Sequence, residues 1–178
     1  MKKICFIAQF PPPIHGLSKA VDTLYNSEIS KEFQLEKVDI KNNKKIFKSL
    51  WLILKSKADL FYFTISQSKG GNLRDLVFLK LIELKRKKCL VHLHGGYYRT
   101  LVDKDIPKWQ RNANYKAVSK LAGAIVLSES LKANFIGMLP DEKIFVVPNC
   151  VDDEFLMSDA EFEKKLRALP ERKIKHIL

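Results

Sequence analysis

The chain has 178 residues, of which 46% are hydrophobic and 29% are charged, with seven glycines and seven prolines. This composition excludes a disordered, fibrous or low-complexity protein and allows one substantial hydrophobic core. The net charge of +12 indicates an anionic partner such as a phosphate, an acidic lipid or a nucleic acid.

Three features of the sequence bear on the compartment. The apolar run that follows Lys2 and Lys3 is short and stops at Gln9 and three prolines, which is untypical of a signal peptide. No apolar run approaches the ~20 residues that a membrane-spanning helix needs. The three cysteines lack the spacing of a zinc site or a disulfide framework. We therefore expect a cytoplasmic protein whose contact with a membrane would be peripheral.

Strand-like and helix-like segments alternate along the chain. This alternation predicts an α/β fold with a Rossmann-like, doubly wound parallel sheet. The predicted strands cover residues 4–8, 35–40, 60–65, 89–93, 124–127 and 143–147. The predicted helices cover residues 17–29, 46–54, 72 to the basic cluster 85–88, and 106–121, with a short helix after residue 128.

Apolar spacing predicts that each of these helices is amphipathic, with one apolar face. In the second predicted helix this face consists of Ile46, Phe47, Leu50, Trp51 and Leu54. In the helix over 106–121 it consists of Trp109, Ala113, Ala117 and Leu121. Asn72 is expected to cap the third helix, Asp75 to favour its positive end, and Ser128 to cap the short helix after the fifth strand.

The sequence becomes strongly charged after Asp152, with a helical pattern over 159–169. We expect an N-terminal Rossmann-like domain over residues 1–156 and a linker over 157–172. The last residues, 173–178, read as the first strand of a second domain. The sequence therefore predicts a truncated protein.

Three predicted loops lie at one edge of the sheet, where open parallel sheets bind ligands beyond the carboxyl ends of their strands. They are the proline-rich loop that ends at Gly16, the turn His94-Gly95-Gly96, and the segment 148–152. Gly16 is expected to permit a backbone turn closed to other residues and to let an anion approach the first amides of a helix. A tight turn without a ligand is the alternative.

His94 stands at the end of the fourth strand, and the two glycines after it leave its ring approachable. We interpret His94 as functional and His92 as a hydrogen-bonded structural imidazole. A structural role is the alternative for His94. In the last loop, Asn149 and Asp152 can bond to the local backbone, and structure is the favoured role of Asp152.

Lysines concentrate around the second helix and in the cluster 85–88. Those around the helix are Lys44, Lys45, Lys48, Lys55 and Lys57. Such lysines form a solvated face in most proteins, and attraction to acidic lipid head groups is the functional alternative. Trp51 among them favours the lipid alternative, although it can equally belong to the core.

Together the loops resemble the N-terminal domain of the family-four retaining glycosyltransferases, which have the two-Rossmann architecture called GT-B. Four motifs carry the resemblance, in order along essentially the whole chain. They are Phe-Pro-Pro-Pro-Ile-His-Gly at 10–16, His94-Gly95, Ser128-Glu129-Ser130, and Val-Pro-Asn-Cys-Val-Asp at 147–152. Two residues depart from the family pattern: His15 stands where a second glycine is common, which would stiffen the first loop, and Cys150 replaces the glycine of the last motif.

The resemblance implies transfer of a hexose from a nucleotide-sugar to a saccharide or lipid-linked hydroxyl with retention, without a metal or other cofactor. It implies that His94 is catalytic and that the Gly16 amide lies near the diphosphate of the donor. The implied substrate-binding residues are Gly16, Leu17, Gly95, Tyr97, Arg99, Ser128 and Asn149. The family binds the nucleotide through a C-terminal domain that this chain lacks, so the fragment alone is expected to be inactive.

The main alternative is a different doubly wound module, such as a non-catalytic nucleotide-binding or regulatory domain, because a fold does not assign a function. A nucleic-acid-binding protein is disfavoured. The sequence lacks the aromatic stacking signature and the basic stripe of the known nucleic-acid-binding modules.

Overall fold

The computed structural model describes residues 1–149 and 157–168. In the described residues, six strands form one parallel sheet in the order β2-β1-β3-β4-β5-β6. The strands are β1 (Lys3–Ala8), β2 (Gln34–Asp39), β3 (Leu60–Thr64), β4 (Lys88–Leu93), β5 (Gly123–Val126) and β6 (Ile144–Val146). The predicted α/β class with a doubly wound, Rossmann-like parallel sheet is confirmed.

Helices connect the strands. They are α1 (Gly16–Tyr25), α2 (Ile29–Glu32), α3 (Ile46–Lys55), α4 (Lys69–Leu84), α5 (Tyr98–Thr100), α6 (Lys108–Val118) and α7 (Asp159–Ala168). Shorter segments are the 3-10 turns Asn43–Lys45, Glu129–Phe135 and Asp141–Lys143 and the π-helical segment Leu101–Asp105. The described helices are all too short or too polar to cross a membrane.

The two faces of the sheet carry separate apolar clusters, because side chains alternate along each strand. On β1, Cys5 and Ile7 join the larger cluster, whereas Phe6 joins the smaller one. The larger cluster is covered by α3, α4 and α6, and the smaller one by α1 through Val21. The connection from β1 to β2 runs in one direction along the sheet, and the connections from β3 onward run in the other. Because such connections are right-handed, their helices lie on opposite faces of the sheet.

The strand order reverses at β1, because the chain passes from β1 outward to β2 and then returns to the other side as β3. The gap between β1 and β3 at the carboxyl edge is therefore the topological switch point of the sheet. Open α/β sheets bind their ligands at such a point. The loops that follow β1, β3 and β4 meet at this part of the edge.

Several helix boundaries differ from the prediction. Helix α1 ends at Tyr25, and Ile29 belongs to the separate short helix α2. Helix α4 begins at Lys69, because Ser68 caps it through its hydroxyl oxygen, which accepts from the Gly71 N–H at 3.3 Å. The expected cap, Asn72, is instead buried. Asp75 is also buried and pairs with Arg74.

The predicted apolar face of α3 is confirmed only in part, since Ile46 and Leu50 pack against the larger cluster. The residues of α3 that are buried against the sheet are Ser49 and Ile53, whereas Phe47, Trp51 and Leu54 are exposed. The reason is that apolar residues cover most of the helix circumference, so their spacing fits two faces. Trp109 in α6 is exposed in the same way.

The chain divides into two compact units, Met1–Pro148 and Asn149–Leu178. The first contains the whole described sheet. In the second, α7 confirms the helical pattern predicted around 159–169. Cys150, Asp152 and the predicted strand 173–178 lie outside the described residues, and the predicted domain boundaries at 156 and 172 stay predictions.

Candidate functional site

The candidate site is the part of the carboxyl edge around the switch point, which we call the rim. It comprises the N-terminus of α1 after β1, the loop Ile65–Ser68 after β3, and the turn His94–Tyr97 after β4. Only β3 separates β1 from β4. Neighbouring strands are ~4.8 Å apart, so the ends of β1 and β4 are about 10 Å apart. Gly16 and His94 therefore lie at the same edge of the sheet.

A reciprocal cap fixes the start of α1. The Ser18 N–H donates to His15 Nδ1 at 3.3 Å, and the His15 N–H donates to the Ser18 hydroxyl oxygen at 3.0 Å. The Ser18 hydroxyl also contacts the Pro13 carbonyl oxygen at 2.9 Å. His15 is thus the residue that ends the proline-rich loop and starts the helix, which explains its presence where the resemblance suggests glycine.

The N-terminus of α1 presents free amides. First-turn N–H groups have no partner within the helix, and because His15 takes that of Ser18, those of Gly16 and Leu17 remain directed beyond the helix end. These amides and the helix dipole favour an anion. The Leu17 side chain is half-buried against the smaller apolar cluster, so only its backbone is suited to ligand contact.

Gly16 is not required by the backbone, contrary to the sequence-based expectation. Its φ is outside the left-handed region, in contrast to Gly137 with φ of +74°. A Cβ added at Gly16 would have no atom within 4 Å. Neither local strain nor packing therefore explains the glycine.

The loop after β3 was missed by the sequence reasoning. A hydrogen bond attaches this loop to α4, because the Ser66 N–H donates to Asp75 Oδ2 at 2.6 Å. Asp75 Oδ1 accepts from Arg74 Nε at 2.9 Å, and burial raises the pKa of Asp75 to about 6 against the lowering effect of Arg74. The loop approaches α4 closely, since a Cβ on Gly71 would lie 2.0 Å from Ser66 Oγ.

Gln67 joins this loop to the histidine turn. Its Oε1 accepts from the Tyr97 N–H at 2.7 Å, and a Cβ on Gly95 would lie 2.5 Å from its Nε2. A side chain at position 95 would therefore displace the Gln67 amide from its place beside the Tyr97 N–H. The signal available in the sequence was Ser68-Lys69-Gly70-Gly71, a capping serine before glycines, which places a helix start at the switch point.

Two stacked histidines stand at the end of β4. The rings of His92 and His94 have centroids 3.9 Å apart and an interplanar angle of 33°. His92 Nδ1 is hydrogen-bonded to the Tyr62 hydroxyl at 2.5 Å, which agrees with the structural role expected of His92. The Nε2 atoms of both rings are buried without a hydrogen-bond partner in the described protein.

Both imidazoles are neutral at pH 7. Burial, together with the repulsion that would arise if His94 were protonated as well, lowers the pKa of His92 to about 3. Burial lowers the pKa of His94 to about 4. A neutral ring contributes a hydrogen bond rather than a positive charge. Leaving a buried polar atom unpaired costs about 1–3 kcal/mol, so a water molecule or a ligand hydroxyl that paired with either Nε2 atom would be stabilised there.

A buried amide network holds the histidine turn in place. Tyr98, which follows the turn, donates its hydroxyl to Asn114 Oδ1 at 3.0 Å. Asn72 Oδ1 accepts from Gln110 Nε2 at 2.8 Å and from Asn114 Nδ2 at 2.9 Å. The network connects α4 and α6 to Tyr98, which lies four residues after His94 in the chain.

Tyr97 and Arg99 differ in what they can offer. Tyr97 is exposed, and its hydroxyl donates to Asp105 Oδ2 at 2.6 Å. The guanidinium of Arg99 is bound to the Ile136 carbonyl oxygen at 2.7 Å and to Asp103 at 3.0 Å. These contacts tie the guanidinium to the fold and favour a structural role, and substrate contact by Arg99 stays a prediction.

Ser128 follows β5 at the same edge. Its hydroxyl is 2.9 Å from that of Ser130 and makes no capping bond to the 3-10 turn Glu129–Phe135, so the predicted cap is wrong. Asn149 is exposed and belongs to the second unit. In the described residues no group of three or more His, Cys, Asp or Glu side chains could hold a metal ion.

Comparison with known proteins gives no family. No family model matches the chain, and no curated protein matches it. Among solved structures, the chain is similar to the LacI family transcriptional regulator CCPA from Weissella paramesenteroides with bound glucose, at 13% identity and a TM-score of 0.36. The match covers 83% of this chain and 59% of that one, and a similarity this low carries no argument about function.

Proposed function

We propose that the chain is the N-terminal, acceptor-side domain of a retaining glycosyltransferase that transfers a hexose from a nucleotide-sugar to a saccharide or lipid-linked hydroxyl. The proposal joins the resemblance of the four motifs to one observation at the rim. Gly16 leaves the first amides of α1 open, while His94 leaves a neutral imidazole nitrogen unpaired at the same edge.

The two groups suit different parts of the donor. The open amides of α1 are suited to the diphosphate, because helix N-termini bind phosphate through N–H groups and the dipole. The uncharged His94 is suited to a hydroxyl of the transferred sugar. In the reaction, the bond from the anomeric carbon to the diphosphate oxygen breaks and a bond to the acceptor oxygen forms, while the acceptor proton passes to the departing diphosphate.

The proposed place of the reaction is the cytoplasm, without a metal cofactor. The negative charge of the diphosphate would be stabilised by the first amides of α1 and by side chains of the C-terminal domain, which we call the second lobe. A domain that supplies only one wall of the cleft would bind the donor weakly, so turnover is expected only when this domain works with that lobe.

The test measures release of nucleoside diphosphate from UDP- and GDP-hexoses by the complete gene product that contains this chain. His94→Ala is expected to lower turnover by about 10²-fold or more, as removal of a group at the reacting centre does. Its melting temperature should change by less than ~4 °C. Ser30→Ala, at an exposed position before the amino end of β2, is the control and should retain full turnover.

Two results would overturn the proposal. One is full turnover by His94→Ala. The other is tight nucleotide binding by this domain alone with no transfer from any donor by the complete protein, which would instead favour a non-catalytic nucleotide-binding or regulatory module.

A further inference from the structure

Three helices on the sheet face opposite α1 expose a continuous apolar surface to solvent. Helices α3, α4 and α6 pack side by side, and a groove of about 680 Å³ runs across them. We call this the helical apolar surface. Its exposed apolar residues are Trp51, Leu54, Leu73, Val77, Leu84 and Trp109.

The exposed apolar residues are spaced three or four residues apart, so they form continuous stripes along the helices. In α3, Phe47, Trp51 and Leu54 recur at steps of four and three, and Phe47 is 82% exposed. In α4, Leu73 and Val77 form the equivalent stripe. Each helix buries a different stripe on the sheet, so a second apolar face is not needed for the fold.

Tryptophans stand on two of the three helices that form the groove. Trp51 on α3 is 53% exposed and Trp109 on α6 is 60% exposed. Large exposed aromatic rings are costly in water, whereas the amphipathic indole is favoured at the boundary between lipid head groups and acyl chains. The placement suits partial insertion of the surface into such a boundary.

Lysines accompany the apolar residues. Lys55 Nζ lies 4.1 Å from the centre of the Trp51 ring, Lys80 lines the groove, and Lys85 Nζ donates to the Leu54 carbonyl oxygen. Residues 44–57 contain five lysines and no aspartate or glutamate. Glu83 is the acidic residue nearest Lys80, at 2.9 Å, and it also pairs with Lys120. The border of the surface is therefore positively charged.

We propose that the helical apolar surface docks on an anionic lipid bilayer, with Trp51 and Trp109 at the head-group boundary and the lysines on the anionic head groups. Charge complementarity selects this occupant, because a second copy of the chain would bring the same lysines together. Apolar contact and the lysine charges act together in such binding. The inference does not depend on glycosyl transfer.

The test is flotation of the 178-residue chain with vesicles of phosphatidylcholine alone or mixed with phosphatidylglycerol. The chain is expected to float with the mixed vesicles and to be released by high salt, since screening weakens surface attraction. Trp51→Gln with Trp109→Gln should lower the fraction bound by at least tenfold. Each of Lys48→Gln and Lys55→Gln should lower it about fivefold, which is ~1 kcal/mol per basic residue converted to affinity.

Matched controls lie away from the surface. Lys31→Gln changes an exposed lysine on α2, on the other face of the sheet, and Ile136→Gln changes an exposed apolar residue outside the groove. Both should bind vesicles as the unmodified chain does. Circular dichroism and the melting temperature establish that every variant folds.

Three outcomes would overturn the proposal. The first is equal binding by the double tryptophan variant and the unmodified chain. The second is binding that is indifferent to phosphatidylglycerol. The third is a dimer in light scattering that the tryptophan changes convert to monomer, without binding to any vesicle, because the surface would then be an interface between two copies.

Discussion

His94 stacks on His92 with ring centroids 3.9 Å apart, and neither ring has a partner for its Nε2 among the described residues. Two imidazoles this close cannot both be charged at low cost, since burial and mutual repulsion act in the same direction. The folded protein is therefore most stable when both rings are uncharged. The same uncharged rings can form hydrogen bonds at the rim.

We expect the stability of the fold to decrease as the pH falls from about 6.5 toward 4. The unfolded histidines bind protons with a pKa of 6.5, whereas the folded pKa values are about 3 for His92 and about 4 for His94. The unfolded state then binds more protons, and the free energy of unfolding decreases on acidification. Asp75 opposes this in part, because its folded pKa of about 6 exceeds its ordinary 3.8.

Urea unfolding at several pH values between 4 and 7 measures this dependence. His94→Gln removes one titrating group, so the slope of the unfolding free energy against pH should become smaller. An unchanged slope in this variant would mean that His94 is already protonated in the folded protein near pH 6, contrary to its burial.

Removal of the Tyr62 hydroxyl is expected to destabilise the fold by about 1–3 kcal/mol. Tyr62→Phe keeps the ring contact with Phe6, at 4.7 Å between centroids, but leaves His92 Nδ1 buried without its partner. Tyr25→Phe is the matched control, because the Tyr25 ring also packs on Phe6 while its side chain is only half-buried. Equal stability of the two variants would show that the hydrogen bond contributes nothing.

Gly16→Ala is expected to separate function from stability. Alanine in a helix is favoured over glycine by up to about 1 kcal/mol, and the added Cβ meets no neighbouring atom, so the melting temperature should stay the same or rise. The methyl group would project into the open space beside Gly16, where the proposed diphosphate would approach the helix. Donor use by the complete protein, measured as kcat/KM, should fall by about tenfold or more.

Gly137→Ala provides the opposite control. Its φ of +74° is strained for alanine, so this variant should lose about 1 kcal/mol of stability and keep its kcat/KM per folded molecule. A Gly16→Ala variant that is destabilised and fully active would assign Gly16 to the turn alone.

The order of elements and the edge that carries the loops were predictable, because alternation of strand and helix patterns fixes a parallel sheet and its carboxyl ends. The contribution of Gln67 was not, since only the folded chain brings it to Gly95. The exposure of Trp51 and Leu54 on α3 could not be predicted from the sequence either, because their spacing is that of core residues. The spacing of apolar residues predicts that a helix face is apolar. It does not predict whether that face packs on the core of the protein or stays on its surface.

The amide network between α4 and α6 leads to the last prediction. Asn114→Leu removes the acceptor of both Asn72 Nδ2 and the Tyr98 hydroxyl, which stay buried, and this should cost about 2–4 kcal/mol. Asn72→Leu should cost a similar amount. The double variant should cost clearly less than both single changes combined, because the second change removes groups that the first has already left unpaired.

Urea unfolding of the two single variants and the double variant measures this coupling, with Ser119→Ala, an exposed polar change at the end of α6, as a control expected within ±0.5 kcal/mol. Because Tyr98 anchors the turn that carries His94, the Asn114→Leu protein should also lose turnover under conditions where it is fully folded. Strict additivity of the two asparagine changes would contradict the network. Full turnover in the folded variant would instead show that the network stabilises the fold without positioning the turn.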